Sequence, residues 1–345
     1  MKSRIRLTGV IGAITIALVV AGVLVVRDGI RSLDVPTKLT ATLRYRISAG
    51  TRIARVAADL NAQGVIARPK AWMWYARYRG LASAIKAGEY AIAPGTTPRE
   101  LLEKFVTGQV LLHSFTIIDG WRTQDMLAAL HRNPEIVSTV SDGEPAIMQK
   151  LGEPESDSEG QFLPETYRFP SGTTDLELMR QAHAALLQDL AAAWQSRDPE
   201  IPLRNSHELL IMASIVEKET GLPEELGKVA GLYLHRLRIG MLLQADPTII
   251  YGLGDRYDGE LRTVDLRTDG PYNSYTRVGL PPTPIALPSA AALRATARPE
   301  KTDALYFVAS PKGDGSHVFS PTYEAHKVAV AQYWAHQRQK SAAKE

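Results

Sequence analysis

The chain contains no cysteine. Disulfides, thiol nucleophiles and cysteine-ligated metals are excluded with it. A chain of 345 residues is long enough to stand on an apolar core without covalent staples. No HExxH zinc motif occurs, and His317 and His326 are too far apart to form a metal pair on one helical face. No metal and no cofactor are expected. Internal repeats and low-complexity tracts are also absent. Net charge is nearly absent too: of 40 basic residues, Lys2, Arg4 and Arg6 supply the whole excess over the 37 acidic ones. The rest of the chain is neutral overall, which argues against nucleic acid as a partner. A Ser-x-x-Lys pair, the mark of serine acyl-enzymes of the penicillin-binding type, occurs only at Ser341 and Lys344 in the tail. Ser214 has Glu217 at that spacing instead.

What the chain does have begins with a long apolar run. Residues 8–26 carry no charge and are mostly Val, Ile, Ala and Leu, bounded by Arg27 and Asp28. That length spans a bilayer core. A signal peptide would have a shorter apolar region and a small-residue cleavage site, and none precedes Arg27. The run reads as an uncleaved transmembrane helix. The basic residues before it place a cytoplasmic tail at 1–7 and everything from Asp28 onward outside.

Residues 28–112 read as a linker and a compact β-α-α-β module: a strand at 42–47, helices at 53–61 and 71–78, a strand at 88–92, then a further helix at 98–107. The second helix is rich in Trp72, Trp74, Tyr75 and Tyr78. Flat apolar rings suit sugar faces, but the same residues would also serve as the module's own core. Residues 113–345 read as a mixed α+β domain, so the fold class is α+β. It opens with a strand at 114–118, an Asp119-Gly120-Trp121 turn and a helix at 124–130 with Thr123 as its cap. A polar crossing at 134–160 follows, then helices at 175–196, 209–220 and 229–240. Residues 252–289 form a loop long enough to suggest function. A strand at 304–309 and a helix at 323–336 close the domain.

The organising stretch is 209–220, LLIMASIVEKET. It is apolar nearly all round, as a buried helix is. Glu217 falls on one stripe with Leu210 and Ala213, while Glu208 and Glu219 fall opposite. A carboxyl group withdrawn from water holds its proton toward neutrality, which is what a general acid needs. The plain alternative is a helix end whose charges pair with neighbours. Glu219, on the far side, is expected to make an ion pair or a cap.

ASIVEKET, LQADPTIIYG, PYNSYTRVGLPPTPIA and LYFVASPKGDGSHVFSPTYEAHKVAV occur in that order. With the apolar run, KAGEY at 86–90 and the Asp-Gly-Trp turn, they resemble the YceG-like family of endolytic murein transglycosylases (MltG type). The resemblance covers nearly the whole chain. It implies a LysM-like module at 28–112 and a catalytic domain at 113–345, anchored in the bacterial inner membrane with the catalytic part periplasmic. It implies glycan strands of peptidoglycan as substrate, a 1,6-anhydro product, a role in ending nascent strands, and peptidoglycan synthases as partners. It assigns the catalytic acid/base to Glu217. Gln244, Asp246, Asn273 and Tyr275 are candidates for hydrogen-bonding the sugar or its acetamido group, with bracing of the long loop as the other reading. Glu159 in EGQFLPETY reads as a structural cap more than a cleft residue. The chain departs from the family's usual pattern at Asp119 (usually Glu), Gln161 (often aromatic), Glu165 (often Asp) and Leu287-Pro288-Ser289 (often Asn-Pro-Gly).

Two other functions fit parts of the sequence. One is a non-catalytic peptidoglycan-binding scaffold for cell-wall synthases. The other is a muramidase that uses water and a second carboxylate, with Asp246 as the best candidate.

Overall fold

The computed structural model describes residues 2–140 and 144–342, with side chains described for 16–140 and 147–339. It divides into two units. The first comprises 1–113 and 168–172, the second 114–167 and 173–345.

The first unit begins with helix α1 (Lys2–Arg31) and a 3-10 turn at Ser32–Asp34. Among the described residues no helix is long and apolar enough to cross a membrane. The span expected at 8–26 falls, over 8–15, on side chains outside those described. Strand β1 (Leu43–Ile47), helices α2 (Ile53–Ala62) and α3 (Pro69–Tyr78) and strand β2 (Gly88–Ile92) follow in the expected order, then α4 (Pro98–Thr107). β1 and β2 pair antiparallel with Tyr45 opposite Tyr90. Alternation along β1 buries Tyr45 and Ile47, and α2 buries Ile53, Val56, Ala57 and Leu60, one face of a helix. Phe105 of α4 meets the rings of Tyr45, Trp72 and Tyr90 with centroids 6.1, 6.4 and 4.6 Å away.

The aromatic run of α3 therefore divides. Trp72 is core, and its indole N–H donates to the Pro98 carbonyl at 2.8 Å. Tyr75 accepts from Arg99 at 2.6 Å. Trp74 and Tyr78 are exposed.

Strand β3 (Leu112–Thr116) pairs with β4 (Thr166–Pro170), and the division between units cuts across both strands. The expected strand at 114–118 thus lies two residues early, and its partner strand carried too short a signal to be read. In the second unit α5 (Thr123–Arg132) has Arg122, not Thr123, at its N-cap. Thr123 instead donates its N–H to Glu159 Oε1 at 3.0 Å and its hydroxyl to the Ser158 carbonyl at 2.9 Å. Helix α6 (Glu144–Leu151) lies in the stretch read as a polar crossing. Helix α7 (Asp175–Gln195) starts with a reciprocal Thr174–Glu177 capping box. Helices α8 (Ser206–Glu219), α9 (Leu226–Arg238), α10 (Asp246–Leu253), α11 (Thr263–Arg267) and α12 (Ala290–Ala297) follow. A β5 (Tyr306–Ala309)–β6 (His317–Ser320) hairpin and α13 (Tyr323–Ala342) complete the unit.

Helix α8 is the core of the second unit. Residues 208–216 are all buried, and α7, α9, α10 and α12 pack around it. Ser214, set among the apolar side chains of the helix, is satisfied twice: it donates to the Ile211 carbonyl at 2.7 Å and accepts from the Ile285 N–H at 3.0 Å. That second bond fixes the stretch 284–289 along the helix. Arg236 of α9 is also buried, spending its guanidinium on the carbonyls of Leu305 at 2.7 Å and Leu243 at 2.5 Å.

Candidate active site

The carboxyl group of Glu217 sits where α8 leaves the core, and the stretch fixed by Ser214 comes back to meet it. Ser289 caps α12, accepting from the Ala292 N–H at 3.1 Å. The same residue donates to Glu217 Oε2 twice, through its N–H at 2.9 Å and its hydroxyl at 2.6 Å. Among the described residues no protein partner engages Oε1. With two donors aimed at Oε2, an acid proton on Glu217 belongs on Oε1.

Across from Ser289 runs the turn at 119–121. Gly120 adopts φ +71°, and a Cβ there would lie 3.4 Å from Lys218 Cδ and 3.6 Å from Glu217 Cγ. Main-chain bonds tie this turn to the Ser289 stretch in both directions, Gly120 N–H to Leu287 O at 2.9 Å and Leu287 N–H to Trp121 O at 2.7 Å. Lys218 donates to the Gly120 carbonyl at 3.1 Å.

The electrostatics favour a held proton. Burial pushes the Glu217 carboxyl above its ordinary value, the Ser289 bonds pull it back, Asp119 raises it and Lys218 lowers it, with a net rise. Asp119 is itself raised, by desolvation and then by the charge of Glu165. A buried acid whose anion has two donors and a nearby ammonium can give a proton and take one back.

Ser289→Ala removes one of those donors. A hydrogen bond to a charged group is worth about 1.5–3 kcal/mol, so Glu217 should hold its proton to a higher pH. The alkaline limb of the pH–activity profile should move up correspondingly; an unmoved or lowered limb would show that Ser289 does not tune Glu217.

The other expected site residues divide. Asn273 is buried and fully engaged by main chain: its amide donates to the carbonyls of Asp265, Leu266 and Thr268 at 3.0, 3.3 and 2.7 Å, and its oxygen accepts from the Tyr275 N–H at 2.9 Å. This geometry matches the bracing reading. The loop at 252–289 is folded around it and contains α11. Tyr275 donates to Asp246 Oδ1 at 2.5 Å. Gln244 and Asp246 are exposed. Gln244 holds φ +51°, the one non-glycine residue with positive φ among those described. Such a backbone persists only where surroundings enforce it. Ser274 does so, accepting from the Gln244 N–H through its carbonyl at 3.0 Å and from the Ala245 N–H through its hydroxyl at 2.9 Å. Glu159 is buried and serves the start of α5, the structural role expected of it.

Glu219 departs from expectation. Its partner is neither a cation nor a helix end but the Tyr233 hydroxyl, which donates to Oε1 at 2.6 Å. Burial is the main cause of its pKa rising to about 7, with Tyr233 opposing and the charge of Asp246 assisting. Its folded value lies above its unfolded one, so the protein should lose stability as pH rises from about 4.5 to about 7, by on the order of 3 kcal/mol. Glu219→Gln should remove that dependence in chemical denaturation at several pH values. An unchanged slope would place the proton elsewhere.

The sequence reading missed Ser289 and the reach of Asp119. Ser289 was legible: a serine between Pro288 and a run of alanines is an N-cap signal. Asp119 was not, because its charge reaches Glu217 only after 119–121 and 284–289 come together.

The profile of the YceG-like family matches residues 45–332. An endolytic murein transglycosylase of Bacillus subtilis is 29% identical over 317 residues, spanning 87% of each chain. One of Streptococcus pneumoniae is 26% identical over 343 residues, covering 89% of this chain and 61% of that longer protein. The crystal structure of a yceG-like protein of Listeria monocytogenes superposes with a TM-score of 0.51 at 25% identity, covering 83% of this chain and 98% of that one. The chain belongs to the YceG-like family.

Proposed function

We propose that the chain is a membrane-anchored endolytic peptidoglycan lytic transglycosylase that uses Glu217 as its only acid/base. The observation that carries this reading is the Glu217 carboxyl, raised by burial and held through one oxygen by Ser289. The bond broken is the β-1,4 bond between C1 of N-acetylmuramic acid and O4 of N-acetylglucosamine. Glu217 gives its proton to O4 as that bond breaks. The 6-hydroxyl oxygen of the same muramic acid residue bonds to C1, and its proton passes to the Glu217 carboxylate. The acid is regenerated, a 1,6-anhydro end is left, and no water is consumed. One carboxylate serves both steps, whereas ordinary glycosidases use two. Ser289 and Lys218 stabilise the anion between the two proton transfers.

Gln244 and Asp246, presented on the braced turn, are the residues proposed to hydrogen-bond the glycan. Tyr275 orients Asp246, and Asn273 holds the loop behind them.

The β-α-α-β order of the first unit supports the LysM-like reading of 28–112. Exposed apolar side chains on α1, among them Val19, Val23 and Val26, support the single inner-membrane anchor, with the amino terminus cytoplasmic and the catalytic unit periplasmic. The resemblance to the family extends this proposal to ending nascent strands beside peptidoglycan synthases.

The water-using reading keeps one observation in its favour. A second carboxylate does act on Glu217, but it is Asp119, while Asp246 acts on Glu219. Mass spectrometry of glycans released from purified peptidoglycan separates the readings. Products lighter by one water, with anhydro ends, are expected. Ordinary reducing ends would overturn the transglycosylase, and bound but uncut glycan would favour the scaffold.

A further inference from the structure

We propose that the start of α3 of the first unit enters the membrane surface, with Lys70 and Trp74 in the headgroup layer of an anionic phospholipid bilayer. The proposal rests on the reading of α1 as the membrane anchor.

Lys70, Trp74 and Tyr78 recur every fourth residue and so form one stripe of α3. Arg77 borders it, opposite the buried Trp72 and Ala76. The stripe is open: Trp74 is 71% and Tyr78 79% exposed. Two large aromatic side chains left in solvent on one helix face are unusual unless something covers them.

The place of this face follows from contacts within the unit. Arg68 pairs with Asp28 of α1. A Cβ on Gly29 would lie 3.3 Å from the Cβ of Ala71, and Ala71 borders the aromatic stripe. Asp34 is tied to α3 through Arg99, which donates to Asp34 at 2.7 Å and to Tyr75 at 2.6 Å. Helix α3 therefore runs alongside the end of α1, starting just beyond Val26, where the exposed apolar side chains of α1 give way to charge. Lys70 and Trp74 lie within about two helical turns of that boundary, about 10 Å at 1.5 Å per residue. This is the depth at which tryptophan and tyrosine gather at bilayer surfaces.

Charge selects the lipid. From 60 to 88 the chain has five basic residues, Arg68, Lys70, Arg77, Arg79 and Lys86, and no acidic one; with Arg68 paired to Asp28, four remain. The neutral balance of the exported chain hides this local excess. A basic, aromatic helix face next to a membrane anchor is suited to anionic headgroups. A glycan strand, the other surface the aromatic rings would suit, gives no reason for the basic excess.

The absence of cysteine makes the test clean. Single-cysteine variants Val20→Cys, Trp74→Cys and Tyr78→Cys of the full chain are labelled with a polarity-sensitive fluorophore and placed in nanodiscs of phosphatidylglycerol and phosphatidylcholine carrying brominated chains. All three positions are exposed, so labelling does not disturb the core. Expected is strong loss of emission at 20, partial loss at 74 and a smaller loss at 78, with the effect at 74 shrinking in pure phosphatidylcholine. Quenching at 20 but none at 74 overturns the proposal and leaves the anchor standing. No quenching at 20 overturns the anchor itself. A response at 74 to added soluble glycan strands but not to lipid charge would make this face a glycan site instead.

Discussion

Glu217→Gln should leave the fold intact and reduce glycan cleavage by about 10³-fold or more, the usual scale for a lost general acid/base. Glutamine keeps the shape of the side chain, and its amide oxygen still accepts from the Ser289 N–H and hydroxyl that hold Oε2. Its NH₂ group takes the place of Oε1 and has no acidic proton to give. Both halves of the reaction are lost together, since the same group must protonate the leaving oxygen and then accept the 6-hydroxyl proton. Stability should not fall. The folded Glu217 has a raised pKa, so above its unfolded value its ionisation weakens the fold, and the uncharged amide removes that cost. A melting temperature at neutral pH equal to or above that of the wild type, with cleavage absent, is the expected pair. Cleavage within tenfold of the wild type would contradict the assignment.

Gly160→Ala should be among the most destabilising single-methyl changes in the second unit. Gly160 holds φ +79°, and an added Cβ would lie 2.5 Å from Pro284 Cβ and 2.7 Å from its Cγ. The left-handed backbone alone costs an alanine about 1–2 kcal/mol. The contact adds to it, because Pro284 is a rigid ring at the head of the stretch that Ser214 and Trp121 hold in place. A total loss of about 3 kcal/mol is expected, within the range of overpacked cores. Gly240→Ala is the control: φ is +68° and nothing lies within 4 Å, so it carries only the backbone cost. The difference between the two in urea denaturation measures the contact. The stretch that would move also carries Ser289, so Gly160→Ala should lose activity beyond its loss of stability. Equal destabilisation by the two variants would mean that Gly160 and Pro284 are not in contact.

Much of this architecture was legible in the sequence. The β-α-α-β order of the first unit follows from helical and alternating spacing that no tertiary contact overrides. Burial of α8 follows from a run with no polar side. Short elements were not legible. Helix α12 has eight residues, five of them alanine, so no stripe announces it. Strands β4 and β6 have five and four residues and exist through their partners. Glu217 was legible because a carboxylate closing a buried helix is anomalous. Its pairing with Ser289, legible only as a helix cap, and with Asp119 was not, because the first lies 72 positions away and the second nearly 100. Asn273 looked like a binding residue because asparagine both donates and accepts, but the loop's own carbonyls occupy its amide.

The central claim is that one carboxylate cuts the glycan without water. The most direct measurement is cleavage of purified peptidoglycan in H₂¹⁸O, with mass spectrometry of the new muramic acid ends. The account predicts anhydro ends with no ¹⁸O. Reducing ends carrying one ¹⁸O would contradict it, and would make Asp119 the first carboxylate to test as a base.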